Sequence, residues 1–219
     1  MNYNNKEDSY YNNVRLDVLS LLPVSSKELV VLEIGAGHGA TLSFLKNEKI
    51  AKEVIGLDIP SNKGTCLFKN IDRFIYEDVE NFDLKEYNTY FDYIILADVL
   101  EHLVNPDDVL KKLKPLLKEK GELLISIPNF RHKRALYKVF LKGDFSYEAS
   151  GIFDYTHLRF YCKKNIKELV VNNGFKIDQM VSSLKTYKKL SPSKILNAVT
   201  FGVFEEFLTV QYLVRTKPK

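Results

Sequence analysis

Val31-Leu32-Glu33-Ile34-Gly35-Ala36-Gly37-His38-Gly39 is the stretch on which the reading of the fold turns. It begins inside the continuous apolar run Leu29–Ile34, which predicts a short buried strand. It ends on three glycines at alternate positions, directly before a helix expected from about Ala40 to Lys46. Strand, glycine turn and helix in that order suit a backbone loop that approaches a ligand. Glycine carries no Cβ to hold a ligand off, and it tolerates positive φ.

Working outward, Glu53–Leu57 runs into Asp58, Arg73–Tyr76 into Glu77-Asp78, and Phe91–Leu96 into Ala97-Asp98. Each expected strand therefore delivers a carboxylate at its carboxyl end, the edge where open α/β sheets bind ligands. Alternation of apolar runs with helix-like segments predicts the α/β class, a mostly parallel sheet with crossover helices. Asn105-Pro106-Asp107-Asp108 supplies an N-cap, a proline at the first helical position and two acids on the positive end of the dipole. That helix shows Val109, Leu110, Leu113, Leu116 and Leu117 on one face, and it is expected to bend at Pro115 and end at Gly121, before a strand Glu122–Ile127 closed by Pro128. Periodicity is lost from Asn129 to Tyr161, which reads as an insertion over the ligand edge. A helix Lys163–Asn173 capped by Gly174, a strand Phe175–Val181, a helical or looped stretch Lys185–Phe204 and a last strand Phe207–Arg215 complete the expectation.

Of the 219 residues, 45% are hydrophobic and 27% charged, with 10 Gly and 7 Pro, which excludes disordered and collagen-like classes. One domain over 1–219 is expected: an N-terminal lid segment 1–25, a cofactor-binding half 26–128, a substrate lid 129–161 and a sheet-completing part 162–219. The net charge of +4 suits an anionic small ligand as well as nucleic acid. The richest apolar run, Tyr93–Leu100, is broken by Asp98 and falls short of the roughly 18 residues of a membrane span. Met1–Tyr10 lacks the layout of a secretion signal, and two cysteines, Cys66 and Cys162, make neither a disulfide framework nor a zinc site. A cytoplasmic protein without a membrane partner is the expectation.

The glycine spacing is G-x-G-x-G rather than the dinucleotide G-x-G-x-x-G, and Glu33 sits in the last turn of the strand. With these residues in view, the chain resembles the class I S-adenosylmethionine-dependent methyltransferases, over about residues 29 to 182 in motif order. The resemblance implies a Rossmann-like sheet ending in an antiparallel strand. It places Gly35, Ala36 and Gly37 against the methionine and ribose part of the cofactor, with Glu33 near the amino acid end. It gives both ribose hydroxyls to Asp58, followed by Ile59, and the adenine amino group to Asp78, with Val79 against the ring. Ala97 and Asp98 fall beside the methionine moiety, and Tyr10 and Tyr11 close over the cofactor. The competing reading for Asp58 and Asp78 is that each caps a turn.

Asp98-Val99-Leu100-Glu101-His102-Leu103 and Asp154-Tyr155-Thr156-His157-Leu158-Arg159-Phe160 look like the small bacterial and ubiquinone-type O-methyltransferase subgroup. The Asn-Pro-Pro-aromatic motif of enzymes that methylate planar amines is missing, so nucleic acid is disfavoured. The implied reaction is methyl transfer to a small-molecule hydroxyl on a sugar, sugar nucleotide or quinol-like ring. Transfer to an amino sugar or similar amine, RNA methylation, a nicotinamide-dependent oxidoreductase and a cofactor-binding module without catalysis are the alternatives.

A hydroxyl acceptor needs a base. His157 is the first candidate, with Asp154 to orient it, and His102 the second; each has a structural reading beside it. Asp98, Glu101 and His102 at i, i+3 and i+4 would share one helical face, and some O-methyltransferases hold a divalent cation with a similar cluster plus a later His, here His157. Metal is not favoured, because Asp98 replaces a longer Glu. Arg131, Arg134 and Arg159 suit a phosphate or carboxylate on the acceptor.

Overall fold

A computed structural model of the chain describes residues 13–64, 66–186 and 191–219; Tyr10 and Tyr11 lie outside them. The apolar runs form seven strands: β1 (Leu29–Ile34), β2 (Ala51–Asp58), β3 (Arg73–Tyr76), β4 (Phe91–Ala97), β5 (Leu117–Pro128), β6 (Phe175–Ser182) and β7 (Gln211–Pro218). They hydrogen-bond in the order β3-β2-β1-β4-β5-β7-β6. β1 to β5 pair in parallel, and β7 lies antiparallel to both β5 and β6. The α-helices among the described residues are α1 (Leu16–Leu19), α2 (Ala40–Asn47), α3 (Pro106–Leu113), α4 (Lys133–Leu136), α5 (Lys163–Asn172), α6 (Ser183–Thr186), α7 (Pro192–Val199) and α8 (Glu205–Leu208). None is long and apolar enough to cross a membrane.

Both faces of the sheet are covered, which is why its central strands read as continuous apolar runs rather than alternating ones. Leu32, Ile34, Ile55, Leu57, Ile94 and Leu96 pack on one side; Val31, Val54, Tyr93, Ile95 and Leu124 pack on the other. Register then sets the site. Ile34 lies opposite both Leu57 and Leu96, and Ala97 opposite Ser126, so Gly35, Asp58 and Asp98 emerge side by side at one edge.

Three expectations are corrected. The helix after Asn105 ends at Leu113 and passes through a 3-10 turn, Lys114–Leu116, that contains Pro115. β5 therefore starts at Leu117, ahead of Gly121. Gly121 does not end a helix; it lies inside the strand, where a Cβ would stand 2.7 Å from the Phe91 carbonyl oxygen. The last strand begins at Gln211 rather than Phe207, because Glu205–Leu208 closes a helical turn that the Thr209 hydroxyl holds by donating to the Glu205 carbonyl at 2.6 Å.

The expected lid leaves β5 at Pro128. α4 runs into a π-helical turn over Tyr137–Leu141, and Ala135, Ile152 and Phe153 form a small core of their own with Phe130 and Val139.

Candidate active site

A cavity of about 1260 Å³ opens at the carboxyl edge, walled by the glycine loop, Asp58, Asp78, Asp98, His102 and Leu158, with Arg15 and Leu16 from the N-terminal side. Gly35, Gly37 and Gly39 have φ of +69°, +54° and +87°, so each needs glycine for its backbone. Packing adds to this at the first: a Cβ on Gly35 would come within 2.8 Å of Val99 Cγ2.

Asp58 ties this loop to β2. Its Oδ2 accepts from the Gly37 N–H at 2.6 Å, and its Oδ1 from the Ile59 N–H at 2.7 Å and Asn62 Nδ2 at 2.9 Å. Burial pushes its carboxyl above the ordinary range against the pull of those bonds. By lone-pair count Oδ2 keeps one acceptor direction, and Asn62 must release Oδ1 before a second hydroxyl can bond. Asp58→Ala is thus expected to weaken cofactor binding by only about 5- to 30-fold, ~1–2 kcal/mol, with Asn62→Ala near wild type by calorimetry. Unchanged affinity in a folded Asp58→Ala protein would remove the ribose from this carboxylate. Asp78 lines the cavity and also caps a turn, accepting from the Glu80 N–H and from Asn81 Nδ2, each at 2.9 Å. Ile59, Val79, Ala36 and Ala97 line the same space.

Glu33 is 3% exposed. Burial pushes its carboxyl up to about 8, opposed by the Arg15 charge and a hydrogen bond from Thr41. Its Oε2 is buried without a hydrogen-bond partner. An ammonium group is the donor this orphaned acceptor needs, so the residues fit the amino acid end of S-adenosylmethionine.

Asp98 has φ of +58°, which turns its carboxylate away from Glu101 and His102. It accepts from Arg15 Nη1 at 2.7 Å, Gln211 Nε2 at 2.6 Å and the Ser126 hydroxyl at 3.1 Å. The expected set of four possible metal ligands is thereby corrected to three: a carboxylate oxygen of Glu101 and ring nitrogens of His102 and His157 lie within 4.8 Å of one another. The connection that carries Glu101 and His102 is a 3-10 turn, Leu100–His102, rather than an α-helical face.

His102 lines the cavity and His157 does not; His157 is 6% exposed. The rings pack edge to face with centroids 4.7 Å apart. His102 Nδ1 lies 3.0 Å from the Thr156 carbonyl oxygen and His157 Nδ1 3.1 Å from that of Ile152. A carbonyl only accepts, so each Nδ1 presents a proton to it. His157 Nε2 stands 4.0 Å from Glu101 Oε1. Asp154 Oδ1 accepts from the Thr156 N–H and hydroxyl.

Arg131, Arg134 and Arg159 are also corrected. Arg131 pairs with Glu206, Arg134 with Glu148, and Arg159 donates to the Leu103 and Val104 carbonyls, which ties the lid to the wall of the cavity. Arg15, an arginine that does line the cavity, carried no motif; nor did Thr41 or Gln211. Only Ser126, polar within the apolar stretch Leu123–Ile127, gave a signal.

A family model described as a methyltransferase domain matches residues 8–180. The tRNA U34 carboxymethyltransferase of Aliarcobacter butzleri (strain RM4018) is 36% identical over 104 residues, 45% of this chain and 34% of that protein. The protein of that name from Campylobacter fetus subsp. fetus (strain 82-40) is 32% identical over 104 residues, 45% of this chain and 36% of its own length. The matched stretch thus spans about a third of either relative. A SAM-dependent methyltransferase from Archaeoglobus fulgidus superposes with a TM-score of 0.67 at 18% identity, over 96% of this chain and 94% of that one, a likeness of fold. The family match extends over the glycine loop, the carboxylates and both histidines, and through it the chain belongs to the methyltransferase-domain family, as a class I enzyme that uses S-adenosylmethionine.

Proposed function

We propose that this enzyme methylates a hydroxyl of a small molecule, with a sugar, sugar nucleotide or quinol-like ring as the acceptor class. One observation carries the reading: His102, with its ring fixed by Thr156, faces the same cavity as the glycine loop. At about 1260 Å³ that cavity exceeds the ~300–1,000 Å³ of a single small-ligand site, leaving room for an acceptor beside the cofactor. The subgroup resemblance of Asp98–Leu103 and Asp154–Phe160 supports the same reading.

S-adenosylmethionine supplies an electrophilic methyl on a sulfonium. The chain's own part is to hold the acceptor oxygen in line with that methyl and to take its proton. His102 Nε2 accepts the proton as the oxygen–carbon bond forms and the carbon–sulfur bond breaks; Nδ1–H stays on the Thr156 carbonyl, which spreads the charge gained. Incubation with methyl-labelled cofactor and a panel of hydroxylic and amino acceptors tests this, and label appearing only on amines would overturn the hydroxyl assignment.

Transfer to RNA is the second reading, drawn from the name of the two curated relatives. It predicts labelling of tRNA and binding that weakens steeply with salt. A further mechanistic variant has Glu101, His102 and His157 hold a divalent cation that lowers the acceptor's pKa. We favour the base, so turnover is expected to survive chelation by EDTA; abolition by chelator with recovery on Mg²⁺, Mn²⁺ or Zn²⁺ would establish the metal instead.

A further inference from the structure

Two segments leave the sheet at its ligand edge and carry their apolar side chains outward. On the first, Tyr137, Phe140 and Leu141 stand at i, i+3 and i+4, and the last two are both 77% exposed. On the second, α7 places Ile195, Leu196 and Val199 at i, i+1 and i+4, and no residue of that helix is buried. An amphipathic helix normally turns its apolar stripe to the core; this one keeps Val199 70% exposed, and beyond it Phe201 is 96% exposed. Phe201 also has φ of +50°, a conformation that bulky residues avoid. Lys133 Nζ donates to Ser193 Oγ at 3.2 Å, joining the segments. Pro128 pairs with Gln211, and Tyr212 with Ser182, so both segments start from the end of the sheet where the cavity opens.

The charge around these side chains identifies an occupant. Residues 131–144 carry five basic side chains against one acid, and the described residues 185–186 and 191–206 two against two. Their joint surplus of four equals the +4 of the whole chain, and while Lys138 is buried on Glu148, Lys133 and Lys142 are exposed. The acids are paired locally, Glu205 with Lys185, and Glu206 with Arg131. A second copy of the chain seated on this face would bring like charge onto like charge. Nucleic acid would suit the lysines but leaves Leu141 and Val199 without a role, since bases stack on aromatic faces.

We propose that this face docks on an anionic lipid surface, with Phe140, Leu141, Val199 and Phe201 entering the headgroup boundary and Lys133, Lys142 and Lys194 meeting the headgroups. Such a face lies in the plane of the interface and spans nothing, so it is compatible with the absence of a spanning helix among the described residues, and it replaces the expectation of no membrane partner. The cavity edge would then face the bilayer.

Flotation of the full chain with vesicles of equal parts phosphatidylglycerol and phosphatidylcholine tests the proposal. Wild type should float with these vesicles, bind pure phosphatidylcholine far less, and release as salt rises. The variant Leu141→Ser, Val199→Ser, Phe201→Ser should lose about tenfold or more in vesicle affinity, with its thermal transition and cofactor affinity unchanged because all three side chains are exposed. Failure of wild type to float, or equal flotation of the variant, would overturn the proposal. So would tRNA binding or dimerisation that the same substitutions remove while flotation is absent, which would assign the face to nucleic acid or to a second copy.

Discussion

Replacing His102 by alanine is expected to lower turnover by roughly 10²- to 10⁴-fold, the usual worth of a positioned base, with affinity for S-adenosylmethionine within about twofold of wild type. The ring lines the cavity, and its bond to the Thr156 carbonyl leaves Nε2 as the proton acceptor. His157→Ala provides the comparison. His157 is buried behind His102, on the Ile152 carbonyl and facing Glu101, so its loss should cost thermal stability and only part of the turnover, by loosening the His102 ring. Near-normal turnover of His102→Ala on the true acceptor would sink the base assignment. Equal losses in both variants together with inhibition by chelator would move the proton step to a metal held by Glu101, His102 and His157.

The order of these assignments differs from the one read in the sequence, and the reason is physical. Motif spacing brought His157 forward because an acid stands three residues before it, but spacing does not say which side chain faces the cavity. Asp154 Oδ1 accepts from the Thr156 hydroxyl, and the lid segment lays Leu158, not His157, on the wall. Asp98 shows the same limit. An i, i+3, i+4 pattern shares a face only if the backbone is helical throughout, and a left-handed φ at the first position breaks it. The glycine loop and the strand-end carboxylates were legible because strand register fixes where they emerge, and register follows from local apolar runs. Arg15, Thr41 and Gln211 were not, because they reach Glu33 and Asp98 from three separate elements and only tertiary packing brings them together. The shift of β7 to Gln211 has a local cause that a strand pattern hides: Phe207 and Leu208 are apolar enough to extend the strand, yet their backbone is spent on a helical turn ahead of Thr209.

Glu33→Gln is expected to separate folding from cofactor binding. The carboxyl ionises near its ordinary 4.5 in the unfolded chain and only near 8 when folded, because burial outweighs the Arg15 charge and the Thr41 bond. Between those two values the folded state holds a proton that the unfolded state has lost, so this group makes stability fall as pH rises across the window, by up to about 5 kcal/mol. A glutamine cannot ionise, and the variant without cofactor should therefore melt several degrees above wild type at pH 9, about 2–4 °C for each kcal/mol relieved. Cofactor binding should move the other way. An ammonium placed against the orphaned Oε2 favours the carboxylate, so wild type should release a proton on binding below pH 8, and its affinity should rise by up to about tenfold per pH unit toward that value. The variant should bind about 10- to 150-fold more weakly at pH 8, the ~1.5–3 kcal/mol of a charged hydrogen bond, and should lack the part of the pH dependence that Glu33 contributes. The ligand's own amino group titrates equally in both proteins, so the difference between them isolates the side chain. Calorimetry in two buffers of unlike ionisation enthalpy measures the proton count directly. Equal affinity and equal proton release in the two proteins would mean that the cofactor's ammonium group lies elsewhere, and that Glu33 is a buried acid whose partners are Arg15 and Thr41.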